Sequence, residues 1–318
     1  RKFAIDAGEI VVNASIGISI FPGNGKDCAT LVQNADTAMY KAKSGGRSHF
    51  RFFDQAMNEE VSARFRIEAD MRHALGREEF FLVYQPMIEV ASGQCVGVEA
   101  LLRWRHPEMG LVMPDVFIPI AESDGQIQSI GNWVIRAACR QLRAWDAMGL
   151  PALRMSINLS PRQFRASGLE TTVLDALREN LLQPERLELE LTESVVADDP
   201  ELAKGVLERL KAIGVSIAID DFGTGFSSLS YLRSYPLDRL KIDRGFVQEI
   251  GSTSDGAAIS SAIISLARML GLQSIAEGVE SSEQLDYLGR EGCELAQGYH
   301  ISRPLEAAAL VDWLKARP

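Results

Sequence analysis

The chain has 318 residues, of which 46% are apolar and 24% charged, and 33 Lys and Arg face 43 Asp and Glu for a formal net charge of −10. This composition excludes disordered, collagen-like and low-complexity chains, and the length suits one large barrel plus a fragment of a second domain. The charge excludes a generally cationic nucleic-acid binder, because such proteins present basic surface to phosphates. A small anionic substrate would need locally placed side-chain cations or metal ions.

The cysteines and the hydropathy pattern bear on redox state and location. The four cysteines lack the CxxC or CxH spacing of a metal site, which indicates small buried thiols in a reducing compartment. No apolar run approaches the ~20 residues that span a bilayer, and no segment resembles a signal peptide, so we expect a cytoplasmic protein. Since the chain opens on Arg1 within a β pattern, we expect a piece of a longer protein, and membrane anchoring of that parent through a missing N-terminal region stays open.

The first 75 residues predict a small α/β fragment and a connecting helix. Residues 10 to 21 are rich in Val and Ile and predict paired strands, ended by the turn Phe21–Gly25. A helix is expected from about Ala29 to Ser44, where two glycines stop it, and a short strand from His49 to Phe53. The charged amphipathic segment Gln55–Leu75 predicts a long helix leading into the main body.

From Phe80 onward, eight β-like segments recur, mostly separated by amphipathic helical runs. Alternation of strand and helix predicts a parallel sheet, and eight repeats over ~240 residues predict a closed (β/α)8 TIM-like barrel. The expected strands are Phe81–Gln85, Gly97–Trp104, Arg154–Ser160, Leu187–Thr192, Val215–Phe222, Arg239–Asp243, Gln273–Val279 and Leu295–Ile301. The expected helices are Ile130–Met148, Thr171–Leu182, Leu202–Ile213, Ala257–Leu270, Glu283–Gly292 and Leu305–Lys315.

Several of these strands alternate strictly between apolar and polar residues. In Leu187–Leu191 every second residue is Leu and every second Glu, and Val215–Asp220 alternates in the same way. A period of two directs the branched apolar side chains to the surrounding helices and the polar ones into the barrel lumen. Buried polar groups are costly unless they are hydrogen-bonded or bind a metal, and barrel active sites lie at the carboxyl ends of the strands. Glu188 lies deeper than Glu190, which favours a structural role in the lumen.

Polar side chains near the strand ends are expected to converge at one mouth of the barrel. At ~4 Å and an effective dielectric of ~20, each carboxylate pair repels by about 4 kcal/mol, so pKa values rise or divalent cations bind. Oxygen donors without His or Cys favour Mg²⁺ or Mn²⁺, and the adjacent Asp220 and Asp221 suit two ions that promote in-line displacement at phosphorus. The converging residues are Gln85, Glu99, Arg103, Asn158, Glu190, Glu193, Asp220, Asp221, Lys241, Asp243, Glu277, Glu280 and Gln297.

Two other enzyme classes are compatible with single features only. The string Asp221-Phe222-Gly223 occurs in protein kinases, but no glycine-rich loop or His-Arg-Asp segment accompanies it. A barrel glycosidase needs only a carboxylate pair at a defined separation, which leaves Asn158, Lys241 and the adjacent aspartates without a role.

The motifs carry a family resemblance. Glu99–Trp104 (EALLRW) resembles the signature of EAL-domain cyclic-di-GMP phosphodiesterases, and the similarity covers about residues 60 to 318. Further matching motifs follow in the family's order: Asn158–Ser160, Glu190–Glu193, Asp220–Gly225, Lys241–Asp243, Glu277–Glu280 and Gln297–Tyr299. Ala14–Ile18 and Ala35–Lys43 resemble the carboxyl-terminal part of a GGDEF diguanylate cyclase domain, whose catalytic signature would lie upstream. We therefore expect no synthesis of cyclic di-GMP by this stretch.

The resemblance implies three segments: a GGDEF fragment over 1–54, a connecting helix over 55–76 and an EAL barrel over 77–318. It also implies site roles, with Glu277 as general base or second-metal partner and Lys241 holding the water or phosphate. Glu193 would anchor the loop Thr224 to Tyr235, which would shape the metal site and a homodimer contact. The implied metal ligands are Glu99, Asn158, Glu190, Asp220, Asp221 and Glu277. The implied substrate contacts are Gln85, Arg103, Asp243, Glu280, Gln297 and Gly298.

The implied reaction is hydrolysis of cyclic di-GMP to linear pGpG, assisted by two Mg²⁺ or Mn²⁺ ions per site, with in-line attack of an activated water. Ca²⁺ is expected to inhibit, because its longer and irregular coordination fits a Mg²⁺ site badly. Long nucleic acids are not expected as partners, whereas upstream sensor domains are. The alternative is a catalytically weak receptor that binds cyclic di-GMP and signals through Gln55–Leu75. No metal or base position departs from the family's pattern, which favours the enzyme.

Overall fold

Two units make up the chain, residues 1–73 and residues 74–318. The computed structural model describes residues 2–5, 8–11, 13–44, 49–225, 229–251 and 254–316. Within these ranges, no helix combines the length and the apolar character needed to cross a bilayer.

The first unit holds two separate strand pairs and two helices. Its elements are β1 (Lys2–Ile5), β2 (Gly8–Val11), β3 (Ile16–Ile18), α1 (Cys28–Ser44), β4 (Phe50–Phe52) and α2 (Gln55–Ala74). β1 pairs with β2 antiparallel and β3 with β4 parallel, so the Val- and Ile-rich stretch supplies one strand to each pair. Gly17 lies so close to α1 that a Cβ there would be 1.9 Å from the carbonyl oxygen of Ala35.

Within the described residues, the second unit has nine strands, and eight of them form a closed barrel. Its strands are β5 (Phe80–Glu89), β6 (Cys95–His106), β7 (Gly110–Val112), β8 (Arg154–Asn158), β9 (Leu187–Thr192), β10 (Ser216–Phe222), β11 (Arg239–Ile242), β12 (Gln273–Ala276) and β13 (Leu295–Gln297). The ring runs β5-β13-β12-β11-β10-β9-β8-β6, and pairing of β5 with β6 closes it, while β7 extends β6 as a hairpin. The predicted (β/α)8 TIM-like barrel is confirmed.

One barrel strand departs from the predicted parallel sheet. β5 runs antiparallel to both of its neighbours, β6 and β13, whereas the other neighbouring strands of the ring run parallel. The prediction of an all-parallel sheet is therefore wrong for β5. The cause is the connection to β6, a turn of five residues (90–94), since a parallel crossover needs a dozen or more residues.

Helices follow most of the strands. They are α3 (Pro114–Asp124), α4 (Ile127–Ala147), α5 (Pro161–Phe164), α6 (Leu169–Glu179), α7 (Glu193–Asp198), α8 (Pro200–Ile213), α9 (Leu229–Ser234), α10 (Arg244–Gln248), α11 (Ser254–Leu270), α12 (Ser282–Glu291) and α13 (Ala307–Lys315). The six predicted helices are present with ends shifted by a few residues, and α3, β7 and the short helices were not predicted. Local signals set the limits, as in α12, where Ser281 Oγ accepts from Gln284 N at 3.2 Å and Gly292 follows at φ 83°.

Polar side chains fill the lumen in two layers. β9 and β11 are separated by β10, yet Glu188 on β9 pairs with Arg239 on β11, and Glu190 pairs with Lys241. Such contacts cross the barrel interior, so the alternating Glu residues of β9 point into the lumen as predicted. Glu188 also accepts from Ser156 Oγ at 2.8 Å and is fully buried, which confirms its deeper position in the lumen.

Candidate active site at the barrel mouth

Lys241 is the central residue of the upper layer and contacts three carboxylates. Its Nζ lies 2.7 Å from Glu190 Oε2, 2.6 Å from Glu277 Oε1 and 3.2 Å from Asp220 Oδ2, and the side chain is fully buried. Burial acts to lower the pKa of Lys241, but the surrounding carboxylates, led by Asp220, raise it well above its usual value. The ammonium therefore stays charged and holds together residues from three strands and the segment after β12.

The carboxylates outnumber this one buried cation. Oxygens of Asp220, Asp221 and Glu277 lie within 4.8 Å of one another. Burial, reinforced by the charges of Asp220 and Glu99, raises the pKa of Glu277 to about 8 despite Lys241. Burial and the charge of Asp220 likewise raise the pKa of Asp221 to about 6. The cluster therefore contains more carboxylates than the single ammonium of Lys241 can compensate.

The donor set fits divalent cations. Glu190 Oε1 is buried and has no hydrogen-bond partner within the described ranges, a costly state for a carboxylate oxygen. Burial raises the pKa of Glu190 as well. The nearby groups are carboxylate and amide oxygens, the ligands that Mg²⁺ and Mn²⁺ prefer. A cation bound among these oxygens would satisfy Glu190 and relieve the repulsion.

Asp220 and Asp221 come together through an irregular end of β10. Successive residues of a regular strand point to opposite faces, so two adjacent carboxylates would ordinarily diverge. Here the pairing of β10 with β11 shifts register between Ile219 and Phe222, and Asp221 has a left-handed φ of 52°. Asp220 Oδ1 accepts from Asp221 N at 2.9 Å. The unusual backbone costs about 1–3 kcal/mol and lets both carboxylates serve one site.

Glu193 holds the segment that follows this turn. Its Oε2 accepts from Gly223 N at 3.1 Å and from Gly225 N at 3.3 Å, and the side chain is buried. These contacts fix the Gly223–Gly225 segment relative to the start of α7. The predicted loop Thr224 to Tyr235 includes residues 226–228, which lie outside the described residues.

A hydrogen-bonded chain of amides holds Glu99. Asn158 Nδ2 donates to Glu99 Oε1 at 2.6 Å, and Gln297 Nε2 donates to Glu99 Oε2 at 2.6 Å and to Gln85 Oε1 at 3.1 Å. Gln85 was expected at the carboxyl end of a parallel strand, which is wrong, because β5 runs the other way. It still reaches the site, since its register on β5 pairs it with Glu99.

A cavity of about 260 Å³ opens above these groups. It is lined by Gln85, Glu99, Leu101, Asp220, Arg244, Gln248, Glu277, Gly278, Glu280, Gln297, Gly298 and Tyr299. Sequence reasoning named seven of these as site residues and missed Leu101, Arg244, Gln248, Gly278 and Tyr299. Arg244 and Gln248 could have been found from their spacing of four directly after the Lys241–Asp243 motif, which places both on one helix face.

Seven predicted site residues are absent from this lining, namely Glu190, Glu193, Asp221 and Lys241, whose contacts are given above, and Asn158, Arg103 and Asp243. Asn158 and Arg103 line a neighbouring, more apolar cavity of about 300 Å³, and Arg103 Nη1 donates to the Leu102 carbonyl at 2.8 Å. Asp243 caps α10, with its Oδ1 accepting from Gly245 N at 2.9 Å. Within the lining, Glu280 Oε1 accepts from Gln248 Nε2 at 2.9 Å.

Comparison with known proteins identifies the families and the relatives that this chain resembles. Residues 68–304 match the model of the EAL domain, and residues 1–49 match that of the diguanylate cyclase, GGDEF domain. The bifunctional diguanylate cyclase/cyclic di-GMP phosphodiesterase MucR of Pseudomonas aeruginosa is 45% identical over 98% of this chain and 45% of its own length. The cyclic di-GMP phosphodiesterase NbdA of the same organism is 41% identical over 99% of this chain and 40% of its length. The chain thus spans less than half the length of these relatives.

A solved structure covers the barrel. The structure titled PaMucR phosphodiesterase, c-di-GMP complex, is 47% identical, with a TM-score of 0.75. The match covers 77% of this chain and 99% of that one.

Proposed function

Since the chain belongs to the EAL domain family, we propose that it hydrolyses cyclic di-GMP to linear pGpG. The observation that carries the proposal is the oxygen cluster around Lys241, in which a buried Glu190 oxygen has no donor among the described residues and two adjacent aspartates turn to one side. The names of the relatives MucR and NbdA, and the cyclic di-GMP complex of the related barrel, support the same substrate.

The proposed metal site uses the predicted ligands in two groups. Glu99, Asn158, Glu190 and Asp220 would hold one Mg²⁺ or Mn²⁺ ion, and Asp221 and Glu277, with Asp220 bridging, a second. Bound ions of this kind activate water and neutralise charge on a phosphodiester undergoing in-line displacement.

Side chains of the protein supply the remaining chemistry. Lys241, charged and fixed by three carboxylates, would stabilise negative charge on the phosphate oxygens. Glu277 lines the cavity and contacts Lys241 Nζ at 2.6 Å, a position from which its carboxylate would take up the proton of the attacking water. Glu193 would act indirectly, by holding the Gly223–Gly225 segment next to Asp221.

Substrate contacts are proposed around the cavity rim. Gln85, Gln297, Gly298 and Glu280 line the cavity itself and would meet the ring and bases of the ligand. Arg103, from the adjacent cavity, and Asp243, at the start of α10, would contribute from its edges. The acidic mouth and the net charge of −10 disfavour long nucleic acids as substrates.

Incubation of the purified protein with cyclic di-GMP and Mg²⁺ or Mn²⁺ tests the proposal. We expect pGpG by chromatography, abolished by EDTA and by Glu99→Ala or Asp220→Ala, with far-UV circular dichroism unchanged. Glu208→Ala, an exposed carboxylate on α8, is the matched control and should keep wild-type turnover. Turnover retained in either site variant would refute the metal assignment. Binding of cyclic di-GMP without pGpG formation would identify the receptor alternative.

Calcium offers a further test of the metal site. We propose that Ca²⁺ displaces the smaller ion and inhibits, because it prefers six to eight ligands at 2.3–2.6 Å. Turnover with Ca²⁺ equal to that with Mg²⁺ would contradict a site built for the smaller ion.

Domain limits and assembly are also proposals. We propose a GGDEF fragment over 1–54, a connecting helix over 55–76 and the EAL barrel over 77–318, preceded in the parent chain by sensor domains and by any membrane anchor. A cytoplasmic location of this part and a homodimer through residues 224–235 and the following helix belong to the same proposal. Sedimentation that gave only monomer at tens of micromolar would contradict the dimer.

A further inference from the structure

Among the residues that the structure describes, Arg244 is the one cation in the lining of the active-site cavity. The charged side chains that share the lining with it are Glu99, Asp220, Glu277 and Glu280, all acidic. Arg244 is exposed, and it makes no hydrogen bond or ion pair with any of the residues that the structure describes. An arginine beside four carboxylates, yet paired with none of them, has its guanidinium donors available for a ligand.

The position of Arg244 is built by its surroundings. Gly278 has a φ of +66°, and a Cβ there would lie 2.6 Å from Arg244 Cβ, so only glycine lets the arginine stem pack against this segment. One turn along α10, Gln248 Nε2 donates to Glu280 Oε1 at 2.9 Å. The helix face bearing residues 244 and 248 is therefore fastened to the segment 277–280, next to Glu277 of the metal cluster.

We propose that Arg244 binds the phosphodiester of cyclic di-GMP that is not being cleaved. The inference rests on the proposed function, which assigns the other phosphodiester to the carboxylate cluster. A cyclic dinucleotide carries two phosphodiesters in one ring, so the second anion must also be accommodated within an acidic cavity. A planar guanidinium matches two phosphate oxygens with two hydrogen bonds, and it neutralises charge that the metal cluster does not reach.

This role affects binding rather than chemistry. The phosphate held by Arg244 changes neither charge nor bonding during cleavage of the other one, so the contact is equal in ground and transition states. Loss of a uniform contact raises KM and leaves kcat unchanged. A charge-assisted hydrogen bond of typical strength corresponds to about a tenfold change in affinity.

Steady-state kinetics at saturating Mg²⁺ with Arg244→Gln, Arg244→Lys and wild type test the proposal. We expect KM for cyclic di-GMP to rise about tenfold in Arg244→Gln, with kcat within about twofold of the wild-type value. The rise in KM should be smaller in Arg244→Lys, because lysine keeps the positive charge but lacks the paired donors of the planar guanidinium. Arg143→Gln is the matched control, since Arg143 is an exposed arginine on α4, away from the cavity lining. An unchanged KM, or a fall in kcat without a change in KM, would overturn the proposal.

Equilibrium binding of cyclic di-GMP in EDTA separates this inference from the proposed function, because it needs no turnover. We expect Kd to rise by a similar factor in Arg244→Gln, and the slope of log Kd against log salt to become shallower, because one charge–charge contact that salt screens has been removed. A weaker Kd with an unchanged salt slope would indicate a base contact and overturn the phosphate assignment. A wild type that binds in EDTA but forms no pGpG when Mg²⁺ or Mn²⁺ is supplied in place of EDTA would refute the proposed function and leave this measurement decisive for Arg244.

Discussion

At the scale of single residues, two buried ion pairs are stacked in the lumen with different surroundings. The deeper pair, Glu188 and Arg239, is complemented by Ser156 and by Gln273 Oε1, which accepts from Arg239 Nη2 at 2.8 Å. Among the described residues, each pair has one buried polar atom without a hydrogen-bond partner, Arg239 Nε in the deeper pair and Glu190 Oε1 in the upper one. The difference lies in the charges: Glu188 and Arg239 balance one another, whereas Glu190, Asp220 and Glu277 all surround the single ammonium of Lys241. The upper pair therefore has surplus negative charge that a bound cation would compensate.

Removal of one partner of the deeper pair should destabilise the barrel strongly. Glu188→Ala leaves the buried Arg239 guanidinium uncompensated, so we expect a loss of about 3–5 kcal/mol in the free energy of unfolding, measured by urea denaturation. Glu170→Ala breaks the ion pair with Arg209, whose side chain is 61% exposed, and should cost less than about 1 kcal/mol. Similar losses in the two variants would contradict the assigned role of Glu188.

At the scale of elements, the end of β10 decides how the carboxylates meet. The register shift and the left-handed Asp221 place consecutive aspartates on one side, and the Gly223–Gly225 segment beyond them is tied to Glu193 on α7. The strained turn therefore depends on a residue from the neighbouring strand connection. The left-handed backbone of Asp221 costs free energy, and the hydrogen bonds that Glu193 accepts from Gly223 N and Gly225 N offset this cost.

Glu193→Ala should loosen this turn without removing any proposed metal ligand. We expect kcat to fall about 10–100-fold and the Mg²⁺ concentration for half-maximal activity to rise, because supporting contacts orient the ligands. Glu193→Gln keeps an oxygen acceptor for the two glycine amides and should retain more activity. Wild-type kcat and metal requirement in Glu193→Ala would show that the turn holds its geometry without this contact.

At the scale of the whole molecule, barrel closure brings side chains from distant parts of the chain to one mouth. Glu99 and Gln297 are hydrogen-bonded although 198 positions apart, and Lys241 bonds Glu190 across 51 positions. The closed ring also concentrates carboxylates that repel one another. The folded barrel therefore carries an electrostatic cost that bound cations relieve.

Divalent cations should therefore stabilise the folded protein. At Mg²⁺ a hundredfold above its dissociation constant, linkage gives about 2.7 kcal/mol, which corresponds to a rise of roughly 5–10 °C in the Tm of the barrel. Scanning calorimetry at constant ionic strength measures the shift. Asp220→Asn removes one charged oxygen donor from the cluster and should abolish most of it. An equal shift in that variant would mean that Mg²⁺ acts elsewhere on the protein.

The sequence by itself determined the features that depend on local pattern. Alternation of apolar and polar residues marks the lumen faces of β9 and β10, the repeat of strand and helix predicts the barrel, and motifs at strand ends predict a shared mouth. The alternation and the motifs each span only a few residues, whereas the repeat of strand and helix continues from Phe80 to the end of the chain. The deeper position of Glu188 followed from the same period of two. The roles of the individual site residues stay predictions until the variants are measured.

Only the tertiary structure decided the features that depend on how separate segments meet. The antiparallel direction of β5 follows from a short hairpin, and it is ring closure that pairs Gln85 with Glu99. Arg244 entered the cavity lining because Gly278, from another strand connection, leaves room for its stem. Distances between strands remote in sequence are set by closure and packing of the whole barrel, which local periodicity does not encode.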